Sequence, residues 1–146
     1  MKIALVCSAG GHLTEMKQLE GVYSRFKHFF VTFEREDSRD LENAYFITDP
    51  KRSPGKAVKN FFQSLRIFWK ERPDVVISTG AGVAVPFCLI SKIGGKKVVY
   101  IESFCRVEQP SFTGRIIYWI ADLFLVQWED LVGKYGSKAR FWGRLL

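Results

Sequence analysis

The sequence predicts a single Rossmann-like α/β domain, a doubly wound parallel sheet covered by helices. Three observations carry this expectation. The short apolar runs are continuous rather than alternating, as in strands buried on both faces. Segments of helical period separate them. Small-residue loops follow two of the strands, where such sheets bind ligands.

In chain order, strands are expected at Ile3–Cys7, Phe29–Phe33, Tyr45–Ile47, Val75–Ser78, Val98–Ile101 and Leu123–Val126, with a last one near Phe141. Helices are expected over Leu13–Tyr23, Val83–Ile93, Arg115–Ile120 and Glu129–Tyr135. The clearest helical pattern is Val58, Phe61, Phe62, Leu65, Phe68 and Trp69, ending before Pro73. Asp49–Gly55, with Pro50, Pro54 and Gly55 among basic residues, reads as an exposed loop. No linker or repeat divides the 146 residues, so one domain, 1–146, is expected.

Three cysteines, Cys7, Cys88 and Cys105, are odd in number and form no CxxC pair, which argues against a disulfide framework or a zinc ribbon. The net charge of +7 is concentrated. Between positions 51 and 72, Lys51, Arg52, Lys56, Lys59, Arg66, Lys70 and Arg72 face Glu71 alone, a field that favours an anionic partner. Met1 and Lys2 run straight into Ile3, leaving no room for a signal peptide, and no apolar run has the length of a membrane span. A reduced compartment and a peripheral chain are expected. Nucleic acid is not, because no recognition motif accompanies the cations.

The first candidate site is Ser8-Ala9-Gly10-Gly11-His12, between the first strand and its helix. Glycines there let backbone approach an anion, and a helix start offers free N–H groups. A tight turn with no ligand satisfies the same pattern. The dinucleotide fingerprint is broken, since His12 and Glu15 stand where further glycines belong, although Glu34 sits where a ribose-binding acid is expected. The second candidate is Ser78-Thr79-Gly80-Ala81-Gly82 after the fourth strand, with packing glycines as the alternative. In the common strand order these two loops face one crevice. The third is Glu102-Ser103 after the fifth strand; its carboxylate is equally suited to orienting a base, capping a helix or pairing on the surface. His12 is the natural candidate base, imidazole being the side chain that exchanges protons near neutral pH; a capping or packing role is as compatible. Lys59, Phe62, Arg66 and Trp69 belong to a helix that suits either a core-facing position with a solvated basic side or a bed of anionic lipid.

The order and spacing of Ser8-Ala-Gly-Gly-His-Leu13, Asp74-Val-Val-Ile-Ser-Thr-Gly-Ala-Gly82, Ile101-Glu-Ser-Phe104 and Ala121-Asp-Leu-Phe-Leu-Val-Gln-Trp128 resemble a known family. It is that of the membrane-side subunit of the split N-acetylglucosaminyltransferase of dolichol-linked oligosaccharide assembly. Bacterial and archaeal polysaccharide-biosynthesis subunits are similar, and the amino-terminal half of the peptidoglycan lipid-linked transferase is a more distant relative. The resemblance implies a GT-B amino-terminal domain that binds a polyprenyl-pyrophosphate-linked acceptor at the cytoplasmic membrane face. A separate donor-binding subunit would bring the UDP-sugar, and this chain would be inactive alone. It also implies inverting transfer without metal or cofactor. Ser8, Gly10, Gly11, His12, Thr79, Gly80, Gly82 and Ser103 would then line the pyrophosphate and acceptor pocket. Glu102 would face the cleft, with His12 or Glu102 as base. The eukaryotic subunits resembled begin with a membrane-spanning segment, whereas this sequence begins with a strand. A nucleotide-binding or reductase-like domain using Glu34, and a non-catalytic membrane scaffold, are the competing readings.

Overall fold

The computed structural model describes residues 1–146. Seven strands form one all-parallel sheet: β1 (Lys2–Cys7), β2 (Lys27–Thr32), β3 (Ala44–Phe46), β4 (Val75–Gly80), β5 (Lys97–Ile101), β6 (Leu123–Val126) and β7 (Ala139–Phe141). Their order is β3-β2-β1-β4-β5-β6-β7. The direction of winding reverses between β1 and β4, so the doubly wound sheet expected from the sequence is present. The helices are α1 (Gly11–Lys17), α2 (Glu20–Tyr23), α3 (Pro54–Glu71), α4 (Val85–Ile93), α5 (Phe112–Ile117) and α6 (Asp130–Tyr135).

The core is divided by the sheet. On one face the alternate residues Ala4, Val6, Phe29, Val31, Val76 and Val98 pack with Ile67 and Phe68 of α3, Phe87, Cys88 and Ile90 of α4, Ile117 of α5 and Leu131 of α6. On the other, Ile3, Leu5, Cys7, Phe30, Ile77 and Ile101 pack with Leu13 and Met16 of α1 and Tyr23 of α2. Burial holds the thiols of Cys7 and Cys88 up at about 12, so both stay protonated core groups.

Three helices differ from expectation for local reasons. The first breaks after Lys17, where Gln18 and Leu19 donate to carbonyls three residues back and tighten the chain, before α2 resumes at Glu20. Pro54 and Gly55 open α3 rather than extending the loop before it: Ser53 caps the helix by accepting from Lys56 N–H, and proline at the first position lacks only an N–H that has no helical partner. The third, α5, starts at Phe112 because Ser111 accepts from Gly114 N–H, and it ends at Ile117, where Ile120 N–H turns back onto the Ile117 carbonyl.

The inward side of α3 takes in only the edge of its apolar stripe, at Phe68 and Leu65. Asn60, Ser64, Ile67 and Phe68 are buried, while Val58, Phe61, Phe62 and Trp69 remain exposed. The buried polar pair is satisfied: Asn60 Nδ2 donates to the Thr48 and Val83 carbonyls, and Ser64 Oγ donates to Asn60 Oδ1. The aromatic residues are thereby left outward, beside a groove of about 330 Å³ between α3 and α4 lined by Phe61, Leu65, Trp69, Leu89 and Ile93. No helix is long and apolar enough to cross a membrane.

Candidate functional site

The carboxyl ends of β1, β4 and β5 deliver three loops to one cleft of about 440 Å³. Gly11, His12 and Glu15 of α1 form one wall, Ala81 follows β4, and Ser103, Cys105, Arg106, Ser111 and Thr113 form the opposite side with Tyr100 beneath. A depression of about 620 Å³ lies at the opposite, amino edge of the sheet around Lys2, Lys27, Asn43 and Tyr45, remote from these loops.

His12 is held by two reciprocal bonds to β4. Its Nδ1 lies 2.7 Å from the Thr79 carbonyl, and Thr79 Oγ1 donates to the His12 carbonyl at 2.7 Å. A carbonyl only accepts, so Nδ1 carries the proton. In the neutral ring Nε2 then keeps a free lone pair, the arrangement a proton acceptor requires. Gly80 makes the close approach possible: its φ is +114°, and a Cβ there would lie 3.1 Å from Tyr100 Oη and 3.2 Å from His12 Cε1. Gly80→Ala is therefore expected to lower stability by about 1–3 kcal/mol and to shift the His12 ring, seen as a perturbed imidazole resonance in NMR spectra.

The other expected residues divide into groups. Gly11 and Ser103 line the cleft with His12, and Gly82 follows Ala81 at the start of a 3-10 turn, with nothing within 4 Å of where a Cβ would stand. Thr79 and Ser8 are buried behind it. Gly10 turns with φ +87°, and its N–H donates to Asp37 Oδ2 at 2.6 Å, so a carboxylate of the β2–β3 loop already occupies that donor. Glu34 pairs with Arg39 at 3.3 Å on the exposed surface. Lys59, Phe62, Arg66 and Trp69 are all exposed on α3, outside the cleft.

Glu102, which the family resemblance implies would face the cleft, instead lies below its floor and is 1% exposed. Its carboxylate accepts from Ser103 N–H (3.0 Å), Ser111 N–H (3.0 Å), Ser111 Oγ (2.9 Å), Tyr100 Oη (3.3 Å) and Tyr135 Oη. Burial, with the carboxylate's charge beside them, pushes both phenols above their ordinary range, so they remain donors at neutral pH. Gly114 leaves room for this cluster: a Cβ there would run into Tyr135 Oη, Glu102 and Ser111 Oγ.

A second buried carboxylate, Glu15, was not singled out by the sequence. It accepts from Ser103 Oγ at 3.2 Å, Phe104 N–H at 3.1 Å and Gln127 Nε2 at 3.0 Å. The available signal was its spacing, three residues beyond His12 on the same helix. Neither buried carboxylate has a cationic partner. No group of His, Cys, Asp and Glu side chains is placed to hold a metal ion.

The family model described as "Oligosaccharide biosynthesis protein Alg14 like" matches residues 38–145. The chain belongs to the Alg14-like family. Its curated relatives include the human UDP-N-acetylglucosamine transferase subunit ALG14, 30% identical over all of this chain and 83% of the relative. The rat subunit of the same name is 30% identical over 99% of this chain and 82% of its own length. Among solved structures, Acinetobacter baumannii MurG superposes with a TM-score of 0.79 at 16% identity, over 97% of this Alg14-like chain. The chain spans 45% of the length of MurG. That likeness shows the fold, one Rossmann-like unit of the GT-B kind that the family resemblance implies.

Proposed function

We propose that this Alg14-like chain is the acceptor-binding, membrane-recruiting subunit of a two-component inverting glycosyltransferase. It would move a sugar, N-acetylglucosamine by analogy with the names of its relatives, from a UDP-sugar to a polyprenyl-pyrophosphate-linked saccharide. The observation that carries this reading is the His12–Thr79 pair, which fixes a proton-accepting ring nitrogen on the wall of a cleft in a chain of this family. His12 Nε2 takes the proton of the acceptor hydroxyl while its oxygen attacks the anomeric carbon, and the bond to UDP breaks with its electron pair leaving on the phosphate. Glu102 acts from below by holding Ser103, Ser111 and the loop between β5 and α5, which leaves His12 as the base.

The pyrophosphate is assigned to the cleft mouth, lined by Gly11, Ala81 and Arg106 beside the Gly10 and Gly80 turns. Ser8 and Thr79 support these loops from behind, and Ser103 meets the acceptor. Asp37 must give up Gly10 N–H for the phosphate to use it. Donor binding belongs to a partner subunit at the cytoplasmic membrane face, and the chain alone is expected to be inactive. Transfer from radiolabelled UDP-N-acetylglucosamine to such an acceptor should therefore occur only when the donor-binding subunit is added. Silence from a verified complex with intact acceptor would reject the transferase reading, and transfer by the chain alone would reject the division of labour.

Membrane recruitment is assigned to α3, whose exposed Phe62 and Trp69 alternate with Lys59 and Arg66 beside the apolar groove. Vesicles containing anionic lipid should bind the chain, and Trp69→Ser with Arg66→Glu should lower the bound fraction about tenfold or more in co-sedimentation, since each basic residue contributes about 1 kcal/mol near such a surface. Equal binding to neutral and anionic vesicles would remove the cations from this role.

A further inference from the structure

Glu15 is 2% exposed and yet borders the cleft. A buried carboxylate without a cation is expensive unless its lone pairs are filled. Here they are filled by groups from two distant parts of the chain: Ser103 Oγ and Phe104 N–H from the loop after β5, and Gln127 Nε2 from the end of β6. Gln127 is itself only 1% exposed and has no freedom left, because the same Nε2 donates to the Glu102 carbonyl at 3.0 Å and its Oε1 accepts from Leu145 N–H at 2.8 Å. Trp128 Nε1 closes the loop by donating to the Phe104 carbonyl at 2.6 Å. The two walls of the cleft, α1 with His12 and the Ser103–Ser111 loop, are thus joined by one carboxylate.

We infer that Glu15 is a positioning residue for the transfer reaction, setting the distance between His12 and the acceptor-facing Ser103 loop. This role rests on the transferase reading given above. Glu15→Gln keeps the size of the side chain, but its amide cannot accept from all three donors: turning its oxygen to Ser103 and Phe104 sets its NH2 against that of Gln127. A flip of Gln127 only moves the conflict to Leu145 N–H and the Glu102 carbonyl. The base stays chemically intact while the wall opposite it shifts.

The test is steady-state kinetics of the assembled two-subunit complex, varying acceptor and donor separately, for wild type, Glu15→Gln and Gln127→Met. Both variants should raise the acceptor KM and lower acceptor kcat/KM, Glu15→Gln by about 10- to 100-fold, the scale of a misplacement near 1 Å. The KM for the UDP-sugar should stay within about twofold, because that substrate sits on the other subunit. A loss of folded complex alone lowers apparent kcat and leaves both KM values in place, so that pattern would overturn the positioning role. Amide hydrogen exchange on the full chain supplies a second reading: Phe104 N–H or Leu145 N–H, whichever loses its acceptor, should exchange faster in Glu15→Gln while β1 amides are unchanged, and unchanged protection at both would equally overturn it. A wild-type complex that transfers nothing would instead overturn the transferase reading itself, and this role with it.

Discussion

His12→Ala should lower transfer by the assembled complex about 10²- to 10⁴-fold, the range that a positioned general base contributes. The expectation follows from the tautomer. Thr79 supplies a carbonyl to Nδ1, so the lone pair on Nε2 is the group left to accept a proton at the cleft wall. The backbone consequence of the mutation is small, since Thr79 Oγ1 bonds the His12 carbonyl rather than its ring and that bond survives. The variant should consequently still assemble with its partner and still bind acceptor, so the loss should appear in kcat. His12→Gln separates the two functions further: an amide can donate to the Thr79 carbonyl but cannot take a proton, so it should restore the local structure without restoring rate. Full activity in either variant, measured by product formation in a verified complex, would remove His12 from the chemistry.

Glu102→Ala should be the most destabilising single change in the cleft region, by about 3 kcal/mol or more in urea unfolding at neutral pH. Each buried donor left without an acceptor costs about 1–3 kcal/mol, and this substitution strands several: Ser103 N–H, Ser111 N–H and the hydroxyls of Tyr100 and Tyr135. Glu102→Gln retains one acceptor and should cost less, but its NH2 then confronts donors. The order Ala worse than Gln, with both worse than wild type, is the expected outcome. A Glu102→Ala protein as stable as wild type would mean that water replaces the carboxylate and that the Glu102 site is not sealed from solvent.

The sheet was legible in the sequence because its strands are buried on both faces, and runs such as Ile3–Cys7 and Val75–Ser78 therefore read as continuous apolar segments with turn residues after them. His12 and the glycine loops were legible because they sit directly beyond those strands. What was hidden depends on contacts between distant positions. Glu15 meets its partners 88, 89 and 112 residues away, and on its own helix it looks like any surface glutamate. Glu102 was visible as a polar residue after a strand, but whether its carboxylate faces outward is decided by Tyr135 and Ser111, which close over it from α6 and the start of α5. The two readings of α3 were left open for a related reason. Its buried positions include Asn60 and Ser64, and Asn60 finds its partners in the carbonyls of Thr48 and Val83, so hydrophobic period alone could not say how much of the apolar pattern turns inward.

The reversal of winding between β1 and β4 also determines the order in which this molecule can be made. β1, β2 and β3 pair among themselves using residues near the amino terminus, and β4 through β7 pair in sequence further along. Only the β1–β4 pairing unites the two groups, and the His12–Thr79 bonds cross that same join between residues 67 apart in the chain. Contacts of long sequence separation carry the larger loop-closure cost and tend to form late. During synthesis the first group leaves the ribosome well before its neighbour exists, exposing the edge of β1 in the meantime, a surface open to mispairing until β4 arrives. The cleft therefore cannot form until β4 and the loop after β5 have been made, and a chain halted before Val75 has its base but no wall for it to lean on.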